Sequence, residues 1–589
     1  MKRLTFVVTG VVLGSLLAGC TDTETTPTSS SDARLTGALT SFETCDEAVS
    51  ELRERAAAHI PVALADTSME ATAAEMPDAA KSGETYSETN VQESGVDEPD
   101  LVKTDGERIV AVVDGTVRVT DAATRRPLGE IELGTESYGL SQLLLHDGRA
   151  LVIAGLGGWG PDMAGTRILL VDVVNLAVLN DFEIEGYYVD ARAVDGLARL
   201  VVRSMPRFEA LAEPAEDSQS RADRIAKAPV DDWLPDYRLD GDSGQIECGS
   251  LARPREYSGT SLLTLLTFDM SAGLDSGSPL TIAADGDTVY GTADALYVAN
   301  DRREFSTWDV GGSTDTEIYR FNLATGGAPA FHGSGIVPGY LLNKYSLSEW
   351  NGHLRVATTS WADGDLPVGP SESAEPPQSS SAVYVLAVDE DGLTEVGRIE
   401  GLGLGERIYS VRYVGDTGYV VTFREVDPLY VLDLSDPTNP AMTGELKITG
   451  YSSYLHPLAP GRLLGLGQEA DDTGVAQGTQ VSLFDVTNPA SPDRLDQYHV
   501  PGGYSLAESD PHGFLHWAPE SIVVMPLGGT ALVLTVTDST VSHRATITQS
   551  AGEVERSLVV NDTLWTVSYS GLQANSMTDY EPQAWIPFD

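Results

Sequence analysis

An alternating apolar strand that ends in Asp or Asn and leads into a turn recurs along the 589 residues. Glycine (58 residues) and proline (31 residues) are frequent, as expected of a chain with many tight turns. These observations predict an all-β fold: a single β-propeller of about eight four-stranded blades, with seven or nine as alternatives, and a short helix near the N-terminus. The copies centre on Asp121, Asp172, Asp269, Asn322, Ala387, Asp433, Asp485 and, weakly, Val536.

A second pattern precedes many of these copies, in which a turn with glycine or asparagine leads into a hydrophobic strand. Asp-Gly and Asn-Gly pairs supply the positive φ of tight hairpins, and alternating Val, Ile, Leu and Tyr suit half-buried strands. One four-stranded unit cannot bury its own faces, so the units must stack, and a ring leaves only short sheet edges. The pattern occurs at 104–113, 146–155, 351–359, 415–423, 460–467 and 561–568.

The spacing of the copies departs from about fifty residues most strongly between Asp172 and Asp269, which are 97 residues apart. A missed blade would fill this gap, but residues 204–257 include a charged, proline-bearing and partly helix-like stretch that favours an insertion. The last copy, after residue 556, is degenerate. We therefore expect it to complete a blade with the strand-like residues 85–92, so that both ends of the 85–589 propeller domain meet in one blade.

The first twenty residues predict the cellular location of the protein. Lys2 and Arg3 precede an apolar run that ends in Leu-Ala-Gly-Cys at 17–20, which is typical of a lipoprotein signal peptide with Cys20 as the lipidated residue. An ordinary secretory signal is the alternative. Residues 21–40 predict a flexible tether and 41–84 a helical segment. We expect an exported protein on the cell envelope that contacts the membrane through its lipid anchor only.

Export would place the two remaining cysteines, Cys45 and Cys248, in an oxidising environment. Thiols outside the cytosol tend to oxidise, so we predict that these two form a disulfide; two free buried thiols are the alternative. Residues 41–58 have helical spacing, with Ser41 as a possible N-cap, so the disulfide would join a short helix to the main body.

The charge of the chain excludes one class of partner. The formal net charge is −51 and the pI about 4.3, which repels the phosphate backbone, so no nucleic-acid binding is expected. The cations are mostly arginine. This bias fits a saline habitat and a GC-rich genome equally well.

Catalytic and metal-binding motifs are sparse. The sequence has no G-x-S-x-G, H-E-x-x-H or C-x-x-C, and the GLGGWG at 155–160 is followed by Pro161 and a strand where a dinucleotide site needs a helix. His512 and His516 would lie about 13 Å apart along a strand, too far for one ion. The acidic turns lack the spacing of a calcium loop. We therefore predict no catalytic residue, cofactor or metal site.

Several blocks of the sequence resemble a family of secreted bacterial and archaeal proteins with a C-terminal β-propeller domain, distantly similar to WD40 repeats. The resemblance implies the fold and export but no assigned reaction. Departures occur near residues 91–94 and in a shortened loop at 470–477. The blocks are 89–106, 232–235, 335–343 with 354–359, 405–411, and 426–440 with 454–457.

Charged residues within these blocks are the candidates for a site in the central channel. Asp97 and Asp100 lie just before the first predicted blade and could lie at the ring axis. The simpler role for them is structural, to hold the junction where the ring closes. Arg355 and Arg407, with Arg412, are cations in a chain that has few. Buried ion pairs with acids are the simpler expectation for them, and an anionic ligand in the channel is the alternative.

The sequence favours a non-catalytic, lipid-anchored surface propeller that binds a protein or glycan partner through its loop faces. An enzyme with a site in the channel, a hydrolase or dehydrogenase that uses Asp97 and Asp100, is the alternative. A role in envelope assembly is a third hypothesis, by analogy of fold with lipoproteins of outer-membrane protein insertion.

Overall fold

The protein is described here by a computed structural model. The structure describes residues 40–42, 44–58, 85–134, 141–156, 165–207, 223, 225–254, 261–300, 315–323, 327–361, 379–390, 392–424, 427–471 and 474–588. The predicted signal peptide, with Cys20, and most of the tether lie outside the described residues. Among the described residues, no helix is long and apolar enough to cross a membrane.

In the described residues nine sheets follow one another, and each contains the four antiparallel strands of one blade. Runs rich in Val, Ile and Leu, such as Arg108–Val113, form the buried inner strands. Blade 1 comprises Val102–Thr104, Arg108–Val113, Thr116–Asp121 and Arg126–Glu132; blade 2 Gln142–His146, Arg149–Leu156, Gly165–Asp172 and Ala177–Glu185; blade 3 Tyr187–Val194, Leu197–Ser204, Leu262–Asp269 and Leu280–Ala283.

The next three blades repeat this order. Blade 4 comprises Thr288–Gly291, Ala295–Asn300, Asp315–Asn322 and Ala330–Pro338; blade 5 Leu347–Trp350, His353–Trp361, Ser379–Asp389 and Gly392–Leu402; blade 6 Arg407–Val414, Thr417–Phe423, Asp427–Asp433 and Ala441–Ile448.

The last three blades bring the chain back to the first. Blade 7 comprises Tyr451–Ala459, Arg462–Ala470, Ala476–Asp485 and Asp493–Pro501; blade 8 Leu515–Trp517, Ile522–Leu527, Thr530–Val536 and Val541–Ile547; blade 9 Arg556–Val560, Thr563–Ser568, Gly571–Ser576 and Pro582–Pro587. Short 3-10 helices occur at Val230–Asp232, Cys248–Ser250, Lys344–Ser346, Leu506–Glu508, Pro511–Gly513 and Ala518–Glu520.

The long connection between the second and third strands of blade 3 widens two sheets. Asp236–Leu239 and Asp242–Gln245 extend the outer edge of blade 2. Leu251–Arg253 pairs in parallel with the fourth strand of blade 3, and Thr40–Ser41 pairs with Leu251–Arg253 in turn.

The helix Cys45–Ala58 packs on this same connection. Leu52 lies in a buried cluster with Trp233, Leu251 and Leu262. A disulfide joins Cys45 to Cys248, with the two Cα atoms 5.4 Å apart. The helix and the connection are therefore one packed unit beside blade 3.

The blades close into a ring through nine hydrophobic cores, each shared by two neighbouring blades. An open stack of nine blades would have only eight such interfaces. The ninth packs Leu558 and Trp565 of blade 9 against Ile109 and Ala111 of blade 1.

The nine blades fall within the expected range of seven to nine, one above the favoured count of eight, whereas the expected closure by a shared blade is wrong. The residues after 556 form a complete blade by themselves, and residues 85–92 add no strand to it. Only an isolated bridge joins Tyr86 to Val560. Packing between complete blades closes the ring, so no strand from the N-terminal side is needed.

Candidate functional site

An extended segment, residues 85–101, runs along the inner strands of the ring; we call it the axial segment. It makes isolated antiparallel bridges to the first strands of three blades, from Tyr86 to blade 9, from Asp97 to blade 3 and from Asp100 to blade 2. The fourth strands are exposed instead, as in Arg126–Glu132. The first strand of each blade is thus the innermost, and the axial segment fills the space that these strands surround.

Polar side chains of the axial segment reach blades on the far side of the ring. Asn90 Nδ2 donates to the Tyr454 hydroxyl of blade 7 at 3.1 Å. Gln92 Nε2 donates to the carbonyl oxygens of Lys344 and Leu347, at the start of blade 5, at 3.1 and 3.0 Å. One short segment therefore connects blades that are far apart in the sequence.

Glu98 is the centre of a buried charge cluster, with 1% of its surface exposed. Its carboxylate lies 3.3 Å from Arg192 Nε of blade 3, 3.1 Å from Lys344 Nζ and 3.6 Å from His512 Nε2. Burial raises the pKa of Glu98 to about 7, against the lowering effect of Arg192. Burial also holds the pKa of Lys344 and that of His512 well below their usual ranges.

A second buried pair lies at the junction of the first and last blades. Arg556 Nε, on the first strand of blade 9, donates to Asp100 Oδ1 at 2.8 Å, and the same guanidinium pairs with Asp510. Burial raises the pKa of Asp100 although Arg556 opposes the shift. Nearby, Lys103 Nζ donates to Asp97 Oδ1 at 2.6 Å.

The predicted channel residues separate into two groups. Asp97 and Asp100 both lie on the axial segment and both pair with cations. Arg355 and Arg407 have no carboxylate partner in the part of the chain that the structure describes, so the expected ion pairs with acids do not form there. Arg355 donates to Ser348 Oγ and lies over the Tyr413 ring, and Arg407 lies over the Tyr409 ring at 4.8 Å.

Histidines also meet near the axis, but His512 and His516 do not form a common site. His516 Nδ1 is 3.0 Å from His456 Nε2, and burial lowers the pKa of both. Within the described ranges, no three His, Cys, Asp or Glu residues converge as metal ligands.

A cavity of about 270 Å³ lies beside the axial segment. It is bordered by blades 1, 2, 3, 8 and 9, and Asp97, Asp100, Lys103 and Arg556 contribute to its lining.

Three tyrosines, an arginine and a leucine lie at the face where the first strands begin; Tyr409 and Tyr451 are half-buried, and the other three residues are exposed. We call this set the tyrosine patch: Leu404, Arg407, Tyr409, Tyr451 and Tyr504. The Tyr409 and Tyr451 rings are 4.6 Å apart, and a register shift on the first strand of blade 6 places Tyr409 outside the regular ladder. Leu404 is 76% and Tyr504 53% exposed.

Sequence reasoning singled out Asp97 and Asp100 of the axial segment but did not name Glu98, Arg192 or Lys344 as candidates. The one usable signal was rarity. Lysine occurs only six times in the chain, and two of the six, Lys103 and Lys344, are buried at the axis. Rarity is not sufficient by itself, because Lys447 on the fourth strand of blade 6 has 65% of its side chain exposed.

The fold and the axial segment define the class of protein, a closed nine-bladed β-propeller whose own chain occupies its centre. The sequence model described as "Beta propeller domain" matches residues 86–580, so the chain belongs to that family.

Two archaeal relatives are both described as uncharacterised. The protein from Archaeoglobus fulgidus is 28% identical over 581 residues, covering 88% of this chain and 86% of the relative. The protein from Methanocaldococcus jannaschii is 36% identical over 258 residues, covering 44% of this chain and 38% of the relative. Among solved structures, apo AztD from Citrobacter koseri aligns with 11% identity and a TM-score of 0.35, covering 84% of this chain and 94% of that chain.

Proposed function

We propose that this chain is an exported, lipid-anchored β-propeller that binds a protein or glycan partner and catalyses no reaction. The observation that carries the binding role is the tyrosine patch. Tyrosine and arginine dominate the energetically important centres of protein interfaces, because they bury a large area and keep a polar end. Export and the anchor rest on the sequence of residues 1–20, in particular on Cys20.

The position of the patch suits recognition. Its residues come from blades 6 and 7 and from the connection before blade 8, so one rigid surface presents side chains from three places in the sequence. Arg407 donates to the Tyr409 hydroxyl at 2.9 Å but has no carboxylate partner among the described residues, so its guanidinium can meet an acidic or hydroxyl group of a partner.

The paired acids of the axial segment support a non-catalytic role. A hydrolase or dehydrogenase that used Asp97 and Asp100 would need their carboxylates for a substrate, whereas Lys103 and Arg556 hold one oxygen of each. This enzyme remains the alternative proposal.

Truncation of the patch tests the binding role. We expect Tyr451→Ala and Tyr504→Ala each to weaken retention on immobilised envelope extract at least tenfold, because an aromatic hot-spot residue contributes about 2 kcal/mol or more. The measurement is the amount of purified protein retained as its concentration is varied, with thermal unfolding as a check of folding.

The matched control is Trp350→Ala. Trp350 is also an exposed aromatic residue, 43% exposed, but it lies at the end of the first strand of blade 5 and therefore on the opposite face. Equal loss in Trp350→Ala, or unchanged retention in both tyrosine variants, would contradict the proposed surface. Turnover that disappears in a folded Asp97→Asn variant would favour the enzyme.

A further inference from the structure

The cavity beside the axial segment has the size and the walls of a small-molecule site. Its volume of about 270 Å³ is close to the lower end of ligand pockets, about 300 Å³. Apolar side chains also contribute to its lining, from blades 2, 3, 8 and 9 or their connections. These apolar residues are Leu144, Met270, Phe514, Leu515 and Leu558.

The charges of the lining are unequal. Four carboxylates line the cavity, those of Glu88, Asp97, Asp100 and Asp195, against the strong cations Lys103 and Arg556. Both cations already have partners. Lys103 Nζ is bound by Asp97 Oδ1 and by the carbonyl oxygen of Glu98, and Arg556 is bound by Asp100 and Asp510.

Two carboxylates keep capacity for a further cation. Asp97 accepts through Oδ1 only, its side chain is 38% exposed, and Oδ2 has no hydrogen-bond partner in the described part of the chain. Asp195 is exposed in the turn after the first strand of blade 3, and its side chain has no ion pair or hydrogen bond within the described ranges.

The charge around the cavity favours a positively charged ligand. The chain carries a net charge of −51, and a cleft with low-dielectric walls concentrates such a field and attracts ions of opposite sign. The rings of Tyr86 and Phe514 also line the cavity, and aromatic faces attract ammonium groups. His512, which lines the cavity too, adds little positive charge because burial and four neighbouring cations lower its pKa.

We propose that this axial cavity binds a small aliphatic diamine in its protonated form, with one ammonium group between Asp97 and Asp195 and the alkyl chain beside the apolar residues of the lining. An organic cation fits better than a divalent metal ion, because within the described residues no three His, Cys, Asp or Glu converge as ligands. This inference is independent of the tyrosine patch, which lies on the other face.

Calorimetric titration of the full mature chain with 1,4-diaminobutane tests the proposal. We expect saturable binding to one site that weakens as salt is raised, and no binding of the neutral 1,4-butanediol or of succinate. Asp195→Asn should weaken diamine binding at least fivefold. Ser557→Leu, which replaces a buried hydroxyl without a partner in the described chain by a bulkier apolar side chain, should abolish it.

The control for Asp195→Asn is Asp114→Asn. Both aspartates precede a glycine in a tight turn at nearly the same φ, 50° and 49°, which asparagine adopts as readily. Asp114 lies between the second and third strands of blade 1 and therefore on the other face. Equal weakening in both variants would mean general attraction to an acidic surface, and absence of diamine binding to the wild-type chain would equally overturn the proposal. Neither outcome bears on the proposed function, because that proposal is tested separately by retention through the tyrosine patch.

Discussion

Glu98 shows what the single residues at the axis contribute. Removing charged groups from water is costly, and a buried ion pair recovers that cost only if its geometry satisfies both partners. Glu98 contacts Arg192, Lys344 and His512 from three different blades or their connections. Its burial nevertheless raises its pKa, so the protonated form is favoured up to neutral pH.

The raised pKa makes the stability of the protein depend on pH. Between the ordinary pKa of 4.5 and about 7, folded Glu98 keeps a proton that the unfolded chain releases. The free energy of unfolding should therefore fall by about 3 kcal/mol as the pH rises through this range. In Glu98→Gln this fall should be absent. Chemical denaturation at a series of pH values, wild type against variant, measures the difference.

Glu130→Gln provides the control for that comparison. Glu130 lies on the outermost strand of blade 1 with 61% of its side chain exposed, so its replacement should leave the pH profile of the wild type unchanged. If Glu98→Gln also retained the wild-type profile, the buried carboxyl would not be the source of the pH dependence.

Only part of this site was predictable from the sequence. Asp97 and Asp100 stand out because they cluster just before the first blade. Lys344 is 246 residues away from Glu98, and no local pattern connects the two. Contacts of this kind are set by where the ring places its inner strands, which periodicity alone does not give.

At the scale of the element, the recurring aspartate has a physical explanation. It ends the third strand of a blade, and its side chain accepts backbone N–H groups of the next turn, as Asp121 does from Thr124 and Asp433 does from Ser435. Hydrogen bonds from the backbone and side chain of Thr124 lower the pKa of Asp121, and those from the side chain and backbone of Ser435 lower the pKa of Asp433. The repeat is therefore visible in the sequence because each blade needs the same turn chemistry.

The third strand of blade 9 lacks both the apolar alternation and the final aspartate of the recurring pattern. Gly571–Ser576 carries Gln573 and Asn575 in its buried interior, where the two side chains hydrogen-bond to each other at 3.1 Å, and it ends in serine. Polar residues that satisfy each other can replace apolar ones in a core. A search for apolar alternation ending in Asp does not find such a strand, and the count was one blade short.

The helix Cys45–Ala58 is the element whose attachment depends on a covalent bond. The disulfide closes a loop with a sequence separation of 203. Replacing both cysteines by serine should lower the free energy of unfolding by about 2–5 kcal/mol and expose the helix to protease before the blades. Denaturation and limited proteolysis measure these two effects.

Leu52→Ala separates packing from the bond. Leu52 is a buried residue of the helix itself. Its truncation should lower the free energy of unfolding by about 2–5 kcal/mol while the disulfide stays intact. Peptide mapping without reductant should then link Cys45 to Cys248 in both the wild type and this variant. Two thiols that alkylate in the native protein would contradict the covalent attachment.

At the scale of the whole molecule, the ring combines nine similar interfaces with one segment that contacts many blades. Each blade packs on two neighbours, so the ends of the chain are held by ordinary hydrophobic burial between blades 9 and 1. The axial segment adds polar contacts across the centre, among them Arg556 of blade 9 with Asp100. Closure of the ring therefore needs no strand from the N-terminal side in the last blade.

The proposed lipid anchor would have to hold this acidic body at a membrane by itself. A net charge of −51 repels anionic headgroups, so the folded body supplies no attraction to a lipid surface. The proposed lipid on Cys20 is then the entire attachment, and two or more acyl chains suffice for stable anchoring. Cys20→Ser should move the protein from the membrane fraction to the soluble exported fraction, and mass spectrometry should find a diacyl or triacyl group on Cys20 of the wild type. Membrane association that persists in the variant, or an unmodified mature N-terminus elsewhere, would refute the anchor.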